Sequence, residues 1–162
     1  VTRGLSSFGR DILSKNVDTL KIYGYNFKGY YAGIDSLQKY YQHSMELLKK
    51  DVRDELFGAR DIYTKVRDSA PSKYADGAVV KNSLISDGCE IEGTVENCIL
   101  FRGVKVGKGS VVKNSIIMQD SVIGSGVQLD CVITDKNVVV RDRRHLAGCE
   151  ELPYFIAKGR ML

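Results

Sequence analysis

The side chains able to do chemistry are few and scattered. His43 and His145 are the only imidazoles, and no nucleophile-and-base pattern surrounds either, so both read as surface histidines. Cys89, Cys98, Cys131 and Cys149 form no Cys-x-x-Cys pair and have no His at metal-ligand spacing. Reduced, buried thiols in a cytoplasmic protein are the expectation, rather than a metal centre or disulfides. No Gly-x-x-x-x-Gly-Lys-Ser/Thr phosphate loop occurs, and Gly103, Gly107 and Gly109 read as chain corners. One local feature suits an anion: Lys136, Arg141, Arg143 and Arg144, densest in the run Arg141-Asp142-Arg143-Arg144. Its plainer reading is a solvated loop.

These residues sit in a chain of 162 residues with a net charge of +4, spread evenly between its halves. A nucleic-acid module would gather its basic residues on one face among aromatics, so no nucleic-acid partner is expected. No apolar run is long enough to span a bilayer, and no secretory signal follows Val1, so neither a membrane nor a secreted role is expected. The opening without Met suggests a piece of a longer protein.

Composition changes near residue 72. Ten of the fourteen aromatics precede it, whereas ten of the sixteen glycines, with dense Val and Ile, lie beyond it. Two units are expected, 1–72 and 73–162. In the first, Ser7 is a plausible N-cap for a short helix through Leu13. Ile22, Tyr23, Tyr25 and Phe27 read as a strand that turns at Lys28-Gly29 and resumes at Tyr30-Tyr31. Asp35 or Ser36 can cap a helix with an apolar face of Leu37, Tyr40, Tyr41, Leu47 and Leu48. A further helix from Asp51 to Phe57 closes at Gly58, where positive φ costs Gly little, and 61–70 looks extended. With too few strands for its own sheet, this segment must pack on a neighbour, capping one end of the second unit.

The second unit is a repeat. Asn82-Ser83-Leu84-Ile85, Asn97-Cys98-Ile99-Leu100, Asn114-Ser115-Ile116-Ile117 and Asp130-Cys131-Val132-Ile133 recur at steps of 15, 17 and 16 residues. Ile91, Val106, Ile123 and Val139 keep the same steps. A short period of Val/Ile runs broken by Gly, Asn and Asp specifies a parallel β-helix of about four coils. Aliphatics fill the prism, and the small Ser83, Cys98, Ser115 and Cys131 turn in at corners. Asn or Gly accepts left-handed backbone there. Asn82, Asn97 and Asn114 can stack as an amide ladder. Hexads such as Ile123-Gly124-Ser125-Gly126-Val127-Gln128 mark it as a hexapeptide repeat. Both ends need covering, one of them by the tail from Leu146 to Leu162. With two histidines, a hexapeptide-repeat zinc carbonic anhydrase is excluded. A hexapeptide acyltransferase, which usually carries a catalytic His on its coils, remains the third functional reading.

Taken together, the segments resemble the C-terminal part of the glucose-1-phosphate adenylyltransferase family, and in particular its divergent members. Phe8-Gly9-Arg10-Asp11-Ile12-Leu13 resembles the family's Phe-Gly-Lys-Asp-Ile-Ile. Gly29-Tyr30-Tyr31 through Leu47-Leu48 resembles the α/β segment that ends its nucleotidyltransferase domain. Asn82 to Asp135 resembles the β-helix that comes after that domain, and the resemblance implies that this helix is left-handed. Catalytic members carry Trp-Arg-Asp-Val-Gly-Thr, whose Asp holds magnesium. Alignment through Ile34, Leu37 and Tyr40-Tyr41 puts Ala32 and Gly33 at the Arg and Asp positions. Magnesium is therefore expected only in catalytic members, with no cofactor in this chain.

The family's glycine-rich nucleotide loop belongs to an earlier part of its sequence, so this chain is not expected to make ADP-glucose alone. The resemblance implies a role in oligomer assembly and allosteric regulation, as a homo-oligomer or beside a catalytic subunit. It also implies a site for an anionic phosphometabolite, to which the family's Asp-Lys-Asn segment gives a basic residue. Asp135-Lys136-Asn137 matches that segment with one residue inserted after Ile133, making Lys136 the foremost effector contact, ahead of Arg141, Arg143 and Arg144. The second reading is the C-terminal part of an active sugar-1-phosphate nucleotidyltransferase.

Overall fold

The computed structural model describes residues 6–58, 62–64 and 67–162. From Lys73 onward the chain winds as a parallel β-helix with three short strands per turn. The first sheet stacks Lys73–Tyr74, Glu90–Ile91, Lys105–Val106, Val122–Ile123 and Val139–Val140. The second stacks Val79–Lys81, Thr94–Glu96, Val111–Lys113, Gln128–Asp130 and His145–Ala147. The third stacks Leu84–Ile85, Ile99–Leu100, Ile116–Ile117, Val132–Thr134 and Tyr154–Ile156. The fold is mainly β, as the repeat predicts, with four full turns and a fifth that carries the tail.

The core is built of in-register columns. Ile91, Val106, Ile123 and Val140 stack on one side, Val95, Val112 and Leu129 on the second, and Leu100, Ile117, the buried Thr134 and Ile156 on the third. Each such aliphatic stabilises by roughly 1.5–3 kcal/mol relative to exposure. Buried serines bridge successive turns: Ser110 Oγ donates to Gly124 O (2.6 Å) and accepts from Val127 N (3.0 Å). Ser121 does the same with Asp135 O and Val138 N. Their polar groups are thereby satisfied inside an apolar prism.

The corners require positive φ. Asn82, Asn97 and Asn114 adopt φ of 41°, 52° and 46°, and Gly88, Gly103, Asp120 and Asn137 do likewise at the next corner. The amide ladder forms, with Asn82 Nδ2 donating to Asn97 Oδ1 (2.8 Å), Asn97 to Asn114 (3.2 Å) and Asn114 to Asp130 Oδ1 (2.8 Å).

The last turn differs from the expected spacing by one residue. Ile123 pairs with Val140 rather than Val139, and Ile116 with Ile133 rather than Val132. The reason is conformational: Cys131, not Asp130, takes the positive-φ corner (φ 51°), and Asp130 keeps only the ladder bond. Cys131 therefore does not turn inward; Val132 occupies the site that Ser115 holds one turn earlier, its N–H bonding Ser115 Oγ at 3.1 Å. One turn is short, crossing from the first sheet to the second through Glu92-Gly93 alone. A Cβ on Gly93 would stand 2.5 Å from Ser110 O, so no larger residue fits.

The tail extends the solenoid rather than folding across its end. After an excursion at 148–153, Tyr154–Ile156 joins the third sheet. Leu162 then exchanges hydrogen bonds with Val139 and Arg141 and packs on the core.

The first unit holds a π-helical turn, Phe8–Leu13, capped by Ser7, and helices α1 (Leu37–Glu46) and α2 (Lys50–Phe57). Ser36 caps α1 by accepting from Lys39 N at 3.2 Å. No strand forms among its described residues. Residues 21–35 run without a ladder, leaving Tyr23 and Tyr25 more than four-fifths exposed, because no neighbouring strand in this chain offers them hydrogen bonds. Gly58 ends α2 at φ −77°, not in the left-handed region; a Cβ there would lie 2.4 Å from Asp54 O. The unit does not cap the solenoid's end: α1 lies against the outer face of the third sheet.

Two substitutions test this architecture by urea denaturation. Asn97→Ala loses both the left-handed preference and two ladder bonds, and is expected to cost about 1–3 kcal/mol, with Asn97→Gly recovering part of it. Leu100→Ala is expected to cost about 2–5 kcal/mol.

Candidate functional site

The four expected anion contacts fall on two different corners of the last complete turn. Lys136 stands exposed at the corner Asp135–Asn137, where Asn137 has φ 57° and the Lys136 carbonyl accepts from Gly159 N at 3.0 Å. Arg141, Arg143 and Arg144 occupy the next corner, turned by Arg143 at φ 58°. Arg141 and Arg144 line a groove of about 550 Å³ whose floor is Val122, Gly124 and Val139. Asp142 lines the same groove, its Oδ1 accepting from Ser125 N at 2.8 Å.

The charge arrangement below this turn differs. Stacked outward residues mate across the rungs: Arg102 with Asp87 (2.9 Å), Lys105 with Glu90 (3.3 Å) and Lys113 with Glu96 (3.3 Å). Among the described residues, neither Lys136 nor any of the three arginines forms a salt bridge. The last turn thus presents cations without salt bridges at two neighbouring corners, with Asp135 and Asp142 beside them. Exposed cations of this kind suit phosphate-like anions.

Helix α1 supplies the remaining features. Tyr41 is 3% exposed, its ring packing against Ile116, Cys131 and Ile133, and its hydroxyl donates to Asn114 O at 2.6 Å. Burial raises its phenol well above the ordinary range, so it stays protonated and a donor. On the opposite side of the helix, Tyr30 Oη donates to Glu46 Oε2 at 2.6 Å, and His43 Nδ1 lies 3.0 Å from the same oxygen. The hydrogen bond to Glu46 pushes the Tyr30 phenol up to about 12, while Tyr30 and His43 hold the Glu46 carboxyl below its usual range. His43 is therefore a largely enclosed partner of a carboxylate, not the surface residue expected; His145 is exposed. A cleft of about 420 Å³ runs between α1 and the 148–153 excursion, past Tyr41, Met45, Glu150 and Glu151.

No group of three His, Cys, Asp or Glu among the described residues can hold a metal. At the position where the resemblance puts a metal carboxylate, Gly33 offers no side-chain ligand, and Asp35 is paired to Lys39 Nζ at 2.8 Å just before the helix cap. These residues do not fit a divalent cation. Cys89, Cys98 and Cys131 are buried, as expected, but Cys149 is exposed. Burial pushes the Cys98 thiol up to about 12 and raises Cys89 and Cys131, which removes them as nucleophiles. Among the described residues no helix is long and apolar enough to cross a membrane.

The sequence pattern of the family described as GlmU-like, C-terminal hexapeptide matches residues 69–150. The chain is 46% identical over 151 residues to the glycogen biosynthesis protein GlgD of Bacillus subtilis (strain 168), covering 93% of this chain and 44% of that protein. It is 49% identical over 117 residues to GlgD of Geobacillus stearothermophilus, covering 72% of this chain and 34% of that protein. It is 34% identical over 144 residues to the glucose-1-phosphate adenylyltransferase of Fervidobacterium nodosum, covering 88% of this chain and 34% of the relative. The chain thus spans less than half the length of these curated relatives.

Two measurements check this geometry. Under native conditions at pH 8, iodoacetamide followed by peptide mass analysis is expected to label Cys149 and to leave Cys98 unmodified until the chain unfolds. Tyr41→Phe, which leaves the Asn114 carbonyl without its partner, is expected to cost about 1–3 kcal/mol in denaturant unfolding.

Proposed function

Because this chain belongs to the GlmU-like, C-terminal hexapeptide family and aligns along most of its length with GlgD proteins, we propose that it is the C-terminal part of a GlgD-type subunit in glycogen synthesis. In this reading it assembles with a catalytic glucose-1-phosphate adenylyltransferase subunit and regulates it, rather than forming ADP-glucose itself. The observation that carries the proposal is a β-helix of four full turns in a chain with Gly33 where the resemblance puts the metal carboxylate. A phosphoryl-transfer site without that carboxylate loses a magnesium ligand and much of its charge stabilisation.

The cations of the last turn, which form no salt bridge among the described residues, support a regulatory anion, a phosphometabolite, as the ligand. Lys136 is its foremost contact, with Arg141, Arg143 and Arg144 at the adjoining corner.

The test uses the full-length parent, assayed for ADP-glucose formation alone and after mixing with the catalytic subunit from the same cell. Silence alone, a changed rate or effector response on mixing, and one co-eluting species are expected. Robust magnesium-dependent turnover by the parent alone would overturn the reading in favour of an ordinary nucleotidyltransferase. In the mixed complex Lys136→Ala is expected to weaken the effector response at least fivefold without changing the basal rate.

A further inference from the structure

We infer that α1 is a lever joining the Lys136 corner of the solenoid to the segment Tyr30–Gly33, with Tyr41 as the residue that positions it. The inference rests on the anion reading of that corner.

The helix is held on both of its long sides by specific contacts. On the solenoid side, Tyr41 inserts between the third and fourth turns, over Ile116 and Ile133, and its hydroxyl bonds a carbonyl 73 residues away in sequence. That carbonyl belongs to Asn114, a positive-φ corner whose own side chain bonds both Asn97 and Asp130 in the ladder. The preceding residue, Tyr40, is half-buried and packs on the same cluster, which includes Ile133, two residues before Asp135. Asp135 is the residue next to Lys136 and caps its N–H at 2.7 Å.

On the far side, Glu46 and His43 receive Tyr30, and Glu55 of α2 accepts from the Tyr30 backbone N–H. Gly33 lies three residues later, with the Tyr31 hydroxyl 3.7 Å from where its Cβ would stand. A set of packed and hydrogen-bonded groups therefore runs from Ile133, two residues before Asp135, and from Asn114 through Tyr41, along α1, to Glu46 and Tyr30. Contiguous packed and hydrogen-bonded groups of this kind are the physical network through which two sites couple. A single helix joining two sites is the economical route by which an anion at the corner reaches the N-terminal unit.

Hydrogen exchange on the whole chain, with and without inorganic phosphate as the probe, tests the inference in three proteins: the wild type, Tyr41→Phe and Lys136→Ala. In the wild type, phosphate is expected to slow exchange at least threefold at 135–138, in α1 and at 28–33. In Tyr41→Phe the slowing is expected to stay at 135–138, and in Lys136→Ala to vanish everywhere. A wild-type response confined to 135–138 overturns the lever and leaves the anion site standing. A response that reaches α1 equally in Tyr41→Phe overturns the role of Tyr41. No response at any segment overturns the anion reading and the lever with it. A merely structural Tyr41 would change exchange without phosphate but not how far the phosphate effect travels.

Discussion

Everything in the solenoid depends on the chain turning sharply from sheet to sheet at its corners without losing a hydrogen bond to the turn below. L-residues resist the left-handed backbone that such corners require, by about 1–2 kcal/mol each. Glycine meets the demand by lacking a Cβ, and asparagine meets it with an amide that bonds its equivalents above and below. The stacked amides convert a strained conformation into a continuous hydrogen-bonded column. Because each corner must sit on the one beneath, the columns of Val, Ile and Leu inside the prism fall into register as a consequence.

The three outer faces are not equivalent. The first two sheets alternate an inward aliphatic with an outward residue that is charged on lower rungs, where Glu90–Lys105 and Glu96–Lys113 pair, whereas Val122 and Val139 face out of the first sheet near the last turn. The third sheet is aliphatic on both sides, with Ile99, Ile116 and Ile133 pointing away from the prism. A strand buried on both faces needs a second layer. Helix α1 is that layer, and Tyr41 fits because an aromatic ring covers two rungs while its hydroxyl satisfies a corner carbonyl.

Much of this was legible in the residues. The Asn-Ser/Cys-aliphatic-aliphatic tetrapeptides announced the coils, the corners and the ladder. The paired aliphatics Ile99-Leu100 and Ile116-Ile117 also held the signal for a covered face, which the reading of 1–72 as an end cap missed. The slip at the last turn arose because Asp130-Cys131 matches Asn-Ser by residue type, whereas backbone conformation had chosen Cys131. The strand expected at Ile22–Phe27 failed for a different reason. Its alternation is real, but a strand exists only with a partner, and a sequence states the pattern of an edge without supplying the edge beside it. The contact between Tyr30, His43 and Glu46 had no sequence signature, because it depends on the path of an irregular segment.

The short turn at Glu92-Gly93 has a meaning for assembly of the chain itself. Stacks of near-identical turns face a hazard: a turn can settle on the wrong neighbour and still bury its aliphatics. One turn cut short at a single corner, and passable there only by glycine, removes that degeneracy. A turn displaced by one storey would set a full-length corner where Gly93 alone clears the Ser110 carbonyl. The deletion works as a key cut into an otherwise uniform spring, giving each turn a unique address in the stack.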